Sequence, residues 1–198
     1  RGYHVTIFVT RIVDEGLDML PNAVEVQQLS ASGFSNHARM KHFGVESLER
    51  VQADLFDVSI SFNRLPGYMF YYCADASFAL KAGSRHSRLY RLTSRYRHSA
   101  ALERAVFGLT STCVVFFVSE ALRQEYRQVH ALADARSVVL PPFINPDHSA
   151  IVSGLPDVSG ARDILNIPLD SLVVLSVGSS FITKGVDRSI RAIAAMPA

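Results

Sequence analysis

The 198 residues are 48% hydrophobic and 19% charged, which excludes a disordered chain and suits one domain, or one domain and part of a second. Two cysteines, Cys73 and Cys113, exclude a disulfide-dense secreted scaffold and are too few for a zinc site of their own. Both sit in apolar runs and read as buried thiols in a reducing compartment. The net charge of +2 excludes little by itself; its distribution along the chain is the informative part.

In chain order, His4–Thr10 is β-branched and apolar and predicts a buried strand, and Ala23–Leu29 alternates as a more exposed one. Val45–Leu55 has helical spacing, Asp57–Phe62 is a strand, and residues 63–67 (Asn-Arg-Leu-Pro-Gly) form a turn cluster. Met69–Cys73 is a further strand, Ser84–Phe107 a long helix, and Cys113–Val118 a central buried strand. Ser119 is placed as N-cap of a helix running to about Ala131, and Ser137–Leu140 is a short strand entering Pro141-Pro142. Apolar strands alternating with helices predict an α/β domain with a parallel sheet covered on both faces.

After Pro142 the texture changes. Residues 145–160 read as a linker rich in Pro, Ser, Asp and Gly. A short helix near Ala161–Asn166, a strand Leu172–Val177, a loop Gly178-Ser179-Ser180 and a helix from about Val186 read as the opening of a second α/β domain. The division expected is 1–145 for the first domain and 146–198 for the linker and incomplete second one. The chain opens on Arg1 almost directly into a strand and ends at Ala198 within a helix, so both ends are expected to be cut. No apolar run approaches the roughly 20 residues of a membrane-spanning helix.

The positive charge is concentrated in residues 81–104, where Lys81, Arg85, Arg88, Arg91, Arg95, Arg97 and Arg104 face a single acid, Glu103. On a continuous helix Arg88, Arg91 and Arg95 share a face, beside Leu89, Leu92 and Tyr96. Such a strip suits an anionic membrane surface, with guanidinium groups at lipid phosphates and Leu and Tyr in the interface. A solvated helix packing its Leu/Tyr strip on the sheet fits the same residues equally well. Nucleic acid fits less, because the aromatic residues follow no nucleic-acid-binding module. A second candidate is the loop through Gly178, Ser179, Lys184 and Gly185, where a helix N-terminus and an adjacent Lys suit a phosphate or pyrophosphate. It is neither a Walker motif nor a dinucleotide fingerprint, and plain turn chemistry is the other reading.

Five segments resemble one family: residues 61–67 (SFNRLPG), 71–75 (YYCAD), 89–98 (LYRLTSRYRH), 140–147 (LPPFINPD), and Val177-Gly178-Ser179 through residues 184–189 (KGVDRS). The family is the lipopolysaccharide core glucosyltransferase I of Gram-negative bacteria, among the retaining family-four glycosyltransferases of the GT-B fold. The resemblance runs through essentially all 198 residues and implies two Rossmann-like domains, the first receiving the acceptor and the second holding the nucleotide. It implies UDP-glucose as donor, an inner-core heptose of lipopolysaccharide as acceptor, no metal, and no cofactor, the UDP-sugar being a substrate. It further implies a peripheral protein on the cytoplasmic face of the inner membrane. The alternative is a non-catalytic membrane-docking module acting through residues 81–104.

By position, the resemblance implies that Lys184 contacts the donor diphosphate and offsets leaving-group charge, with Gly178, Ser179 and Gly185 completing the loop. It assigns Asp75 as an acceptor-side or sugar-contacting carboxylate, the other reading being a helix cap at a strand end. His37, in a polar loop, and Asn63 and Arg64, at the carboxyl end of a strand, are further acceptor-side candidates. Lys81, Arg85, Arg88, Tyr90, Arg91, Arg95, Tyr96 and Arg97 become the membrane-contact set. The sequence departs from the family in having Thr183 before the Lys and His148 after Pro146-Asp147, where Arg is usual. Arg188 or Arg191 would have to supply the charge that Thr183 lacks. Neither the family's opening strand and Gly-rich loop nor its acidic E-x(7)-E string lies within the 198 residues, so the chain alone is expected not to turn over.

Overall fold

The computed structural model describes residues 2–13, 17, 20–54, 56–85, 88–143, 158–177, 181–182 and 184–196. The chain divides into two compact units, 1–143 and 144–198. In the first unit β1 (Val5–Val9) pairs in parallel with β2 (Val24–Gln28), from Val5 opposite Val24 to Val9 opposite Gln28. A second parallel sheet runs in the order β3 (Ile60–Ser61), β4 (Phe70–Cys73), β5 (Val114–Phe117), β6 (Ser137–Val139). The helices are α1 (Asn36–Ala53), α2 (Phe78–Arg85), α3 (Ser94–Phe107) and α4 (Glu120–Arg127). The first unit is therefore an α/β domain of the Rossmann-like kind.

Burial alternates along the central strands, because successive side chains leave a strand on opposite faces. Tyr71, Cys73, Val115 and Phe117 point into a core completed by Val106 and Phe107 of α3, Tyr126 of α4, and Leu132. Phe107 stacks on Tyr126 at 4.2 Å between ring centroids and meets Tyr71 edge-on at 5.8 Å. The opposite face is only half-buried, with Phe70 stacked on Phe116 at 5.3 Å and an exposed Phe62 against Tyr72 at 5.8 Å. The sheet is thus deeply covered on one face, not on both as the apolar strands suggest. A smaller core joins Leu29, Phe43, Leu65 and Tyr68, with Phe8, Leu48 and Val51 packed against it. Gly67 turns the chain into it at φ +93°, a backbone conformation that strains any other residue, and a Cβ there would also press on Leu48 Cδ2 at 2.7 Å. Both cysteines are free and buried, and burial pushes each thiol up to about 11.

Three expected elements differ. Helix α1 starts at Asn36, not near residue 45, because Ser35 caps it by accepting from the Ala38 amide at 3.3 Å. The long helix over 84–107 is split into α2, a 3-10 turn Arg88–Leu92, and α3. Thr93 makes the break: its hydroxyl donates to the Tyr90 carbonyl at 2.8 Å and accepts from the Tyr96 amide at 3.2 Å, so a new helix starts there. In the second unit, α5 (Val158–Ile164) and α6 (Val186–Ala194) form, but residues 172–177 pair with no strand among the described residues. Leu175 and Val177 are more than 80% exposed, and an apolar segment with no neighbour to hydrogen-bond cannot become a strand.

Phe107 anchors the larger core, so Phe107→Ala is expected to cost about 3–5 kcal/mol, read by urea denaturation of the full chain.

Candidate functional site

The carboxyl ends of β3 and β4 carry the turn through Asn63 and Arg64 and the loop 74–77, and one buried carboxylate organises both. Glu103 of α3 is 1% exposed. Its Oε1 accepts from Ser77 Oγ at 2.8 Å, the Ala79 amide at 3.2 Å and His130 Nε2 at 2.9 Å. Its Oε2 accepts from the Phe78 amide at 2.6 Å and lies 3.4 Å from Arg64 Nη1. An ionised carboxylate only accepts, so His130 presents Nε2–H. Burial acts to raise the Glu103 pKa, but the bonds from His130, Ser77, Phe78 and Ala79 outweigh it and hold the group below its ordinary value. The carboxylate also meets the positive end of α2, whose first amides it satisfies.

This network fixes the loop that carries Asp75. Arg64 Nη2 donates to the Ala76 carbonyl at 2.9 Å, Glu125 accepts from the Ser77 amide at 2.7 Å, and Tyr126 Oη donates to the Asp75 carbonyl at 3.0 Å. Asp75 itself is exposed at the end of β4, and it does not cap α2; Ser77 and Glu103 do. Arg64 faces inward to Glu103 and the loop backbone, and Asn63 is exposed with its carbonyl accepting from Ser61 Oγ and the Leu65 amide. His37 lies in the first turn of α1 and not in a loop, 3.0 Å from Ser35 Oγ, with its ring 6.0 Å from that of His98 on α3.

Along the basic segment, Lys81, Arg91, Arg95 and Arg97 are exposed, and Leu89 and Leu92 are 73% and 65% exposed. A 3-10 turn brings residues three apart to one side, so these two leucines share a face. Tyr96 packs on Phe78 at 5.5 Å and meets Tyr90 edge-on at 5.8 Å, so both tyrosines are half-buried in tying the segment to α2. The side chains of Arg85 and Arg88 lie outside the described residues.

In the second unit, Lys184 is exposed and is followed by Gly185 at φ +72°, the left-handed turn from which α6 starts. Arg191 is held by Asp187 at 2.8 Å, whereas Arg188 is exposed and makes no ion pair among the described residues, which leaves it the arginine free to serve this turn. Gly178, Ser179, Thr183 and His148 lie outside the described residues. Among the described residues no group of three or more His, Cys, Asp or Glu is placed to hold a metal ion, and no helix is long and apolar enough to cross a membrane.

Sequence reasoning missed Glu103, His130 and Tyr126. The signal for Glu103 was present: one acid among seven bases has to be held against its surroundings. Removing it strands Arg64, His130 and two amides, so Glu103→Ala is expected to cost about 3 kcal/mol or more in a urea melt. The pH dependence has a definite sign. The folded pKa is below the ordinary 4.5, so Glu103 contributes fully above that value. The contribution is lost as pH falls through the folded pKa, since the unfolded chain then binds the extra proton. Glu103→Gln should flatten the acid limb of stability against pH, and an unchanged limb would contradict the assignment.

No family model matches the chain. It is 31% identical over 201 aligned residues to the lipopolysaccharide glucosyltransferase WaaG of Escherichia coli (strain K12), across all of this chain and 52% of that protein. It superposes on a crystal structure of WaaG, described as a glycosyltransferase involved in lipopolysaccharide biosynthesis, with a TM-score of 0.86 at 31% identity. That match covers 99% of this chain and 52% of the other. The chain therefore spans about half the length of the relative it matches. It is a relative of the lipopolysaccharide glucosyltransferase WaaG and shares the Rossmann-like α/β fold of that protein over the matched half.

Proposed function

We propose that the chain is the acceptor-side domain, with the opening of the donor-side domain, of a glycosyltransferase of lipopolysaccharide biosynthesis. The observation that carries this reading is the unbroken likeness to WaaG along the whole chain. The donor is UDP-glucose and the acceptor an inner-core heptose. Transfer proceeds with retention by front-face attack, a diphosphate oxygen taking the acceptor proton while the protein positions both partners and stabilises charge. Lys184 meets the donor diphosphate, in the loop with Gly178, Ser179 and Gly185. Its exposure beside a glycine turn that opens a helix supports this role. Arg188 supplies the second positive charge that Thr183 lacks. Asp75 contacts a sugar hydroxyl, supported by its exposed place on a loop fixed by Tyr126 and Glu125. No metal or cofactor is required.

The basic segment keeps the protein peripheral on the cytoplasmic face of the inner membrane, next to a lipid-borne acceptor. Its support is the exposed Leu89–Leu92 face beside Arg91, Arg95 and Arg97, none of them paired with an acid among the described residues. Basic residues near an anionic surface contribute about 1 kcal/mol each.

Three outcomes test this reading. The chain alone should release no UDP from UDP-glucose with a heptose acceptor, and heptose-dependent release would refute the assignment of missing donor groups. Lys184→Ala should weaken UDP binding about tenfold or more by titration calorimetry, as for a lost charged contact. In flotation with anionic vesicles, Arg91→Glu with Arg95→Glu should reduce association at least about tenfold while neutral vesicles bind neither protein; equal flotation of both proteins would remove the membrane surface from the proposal.

A further inference from the structure

The contact between α1 and α3 gathers His37, offered above as an acceptor-side candidate, with two basic side chains given no role so far. His37 and Lys41 are one turn apart on α1 and so share a face. His98, in the second turn of α3, brings its ring to 6.0 Å from His37. Its Nε2 is buried and has no hydrogen-bond partner, an arrangement that proteins seldom leave unfilled. Burial first, and then the charges of His37 and Lys41, hold the His98 pKa below its ordinary 6.5.

Among the described residues no acid forms an ion pair with His37, Lys41 or His98. On α1, Glu46 accepts from Ser30 Oγ at 2.6 Å and lies beside His42, and the exposed Glu49 lies two turns beyond Lys41. Helix α2 contains no acid, and the one acid of α3, Glu103, is the buried acceptor of the loop network. Neither His37 nor Lys41 forms an ion pair among the described residues, and Arg95 and Arg97 add exposed positive charge on α3 itself. Both helices start at the carboxyl end of the parallel strands, since α1 follows β2 and α3 runs back towards β5. Open α/β sheets place their ligands at that end.

We propose that His37, Lys41 and His98 form a binding site for a phosphoryl oxyanion. Lys41 supplies a full charge, and the two imidazoles donate N–H bonds once protonated. Occupation raises the His98 pKa, so binding takes up a proton and tightens as pH falls from 7.5 towards 6. The phosphoryl group could come from a soluble phosphate ester or a lipid headgroup; the site as proposed takes it from solution.

The test follows the histidine Cε1–H signals of the full chain by NMR through a pH titration, with His98 identified by His98→Gln. In inorganic phosphate His98 should titrate about one unit higher than in chloride at equal ionic strength. Lys41→Met, at an exposed position that leaves the fold intact, should abolish most of that shift. A His98 titration identical in the two salts, or an equal shift in Lys41→Met, overturns the site. Vesicles of phosphatidic acid form the second arm; a shift seen with vesicles and not with inorganic phosphate also overturns it, in favour of a headgroup contact. The readout needs no turnover, so its failure leaves the transferase proposal standing.

Discussion

A single buried carboxylate governs the first unit. Glu103 is removed from water and compensated by His130, Ser77, two backbone amides and Arg64. The partners come from three places in the chain, so one side chain ties α3 to the start of α2, to the turn after β3 and to the segment after α4. A buried charge is tolerated only when its oxygens are all engaged, which makes the cluster cooperative and its geometry unique. The consequence for chemistry is the fixed loop after β4, which presents Asp75 outward from a backbone that cannot drift.

The same residue explains how so basic a segment can fold. Seven bases against one acid would repel one another if all were held in one straight helix. Instead the chain breaks at Thr93, whose hydroxyl satisfies groups on both sides of the break. Arg91, Arg95 and Arg97 are left in solvent, Tyr90 and Tyr96 turn back towards Phe78, and Leu89 and Leu92 remain uncovered. Leu89 and Leu92 are thereby exposed next to Arg91, Arg95 and Arg97, none of which pairs with an acid among the described residues.

The two units differ in how far they are built. The first has two parallel sheets and two apolar cores. Among the described residues the second has two helices, and its apolar segment 172–177 lies unpaired and exposed. In that unit Gly185 takes the left-handed turn from which α6 starts, next to the exposed Lys184.

Local order was legible from the residues alone. The parallel α/β class, the N-cap at Ser119, the buried cysteines, the helix from Val186 and the concentration of charge all follow from short-range pattern, since capping, period and composition act within a few residues of one another. The break at Thr93 and the start of α1 after Ser35 rest on equally local hydrogen bonds that the pattern of apolar residues masks, whereas the unpaired 172–177 segment and the inward role of Arg64 were decided only in three dimensions. So were the Glu103 network and the meeting of His37 with His98, whose members lie 24 to 61 residues apart in sequence. No periodicity encodes such meetings. They exist because a folding sheet brings its strand ends together and then demands a partner for every polar group it has buried.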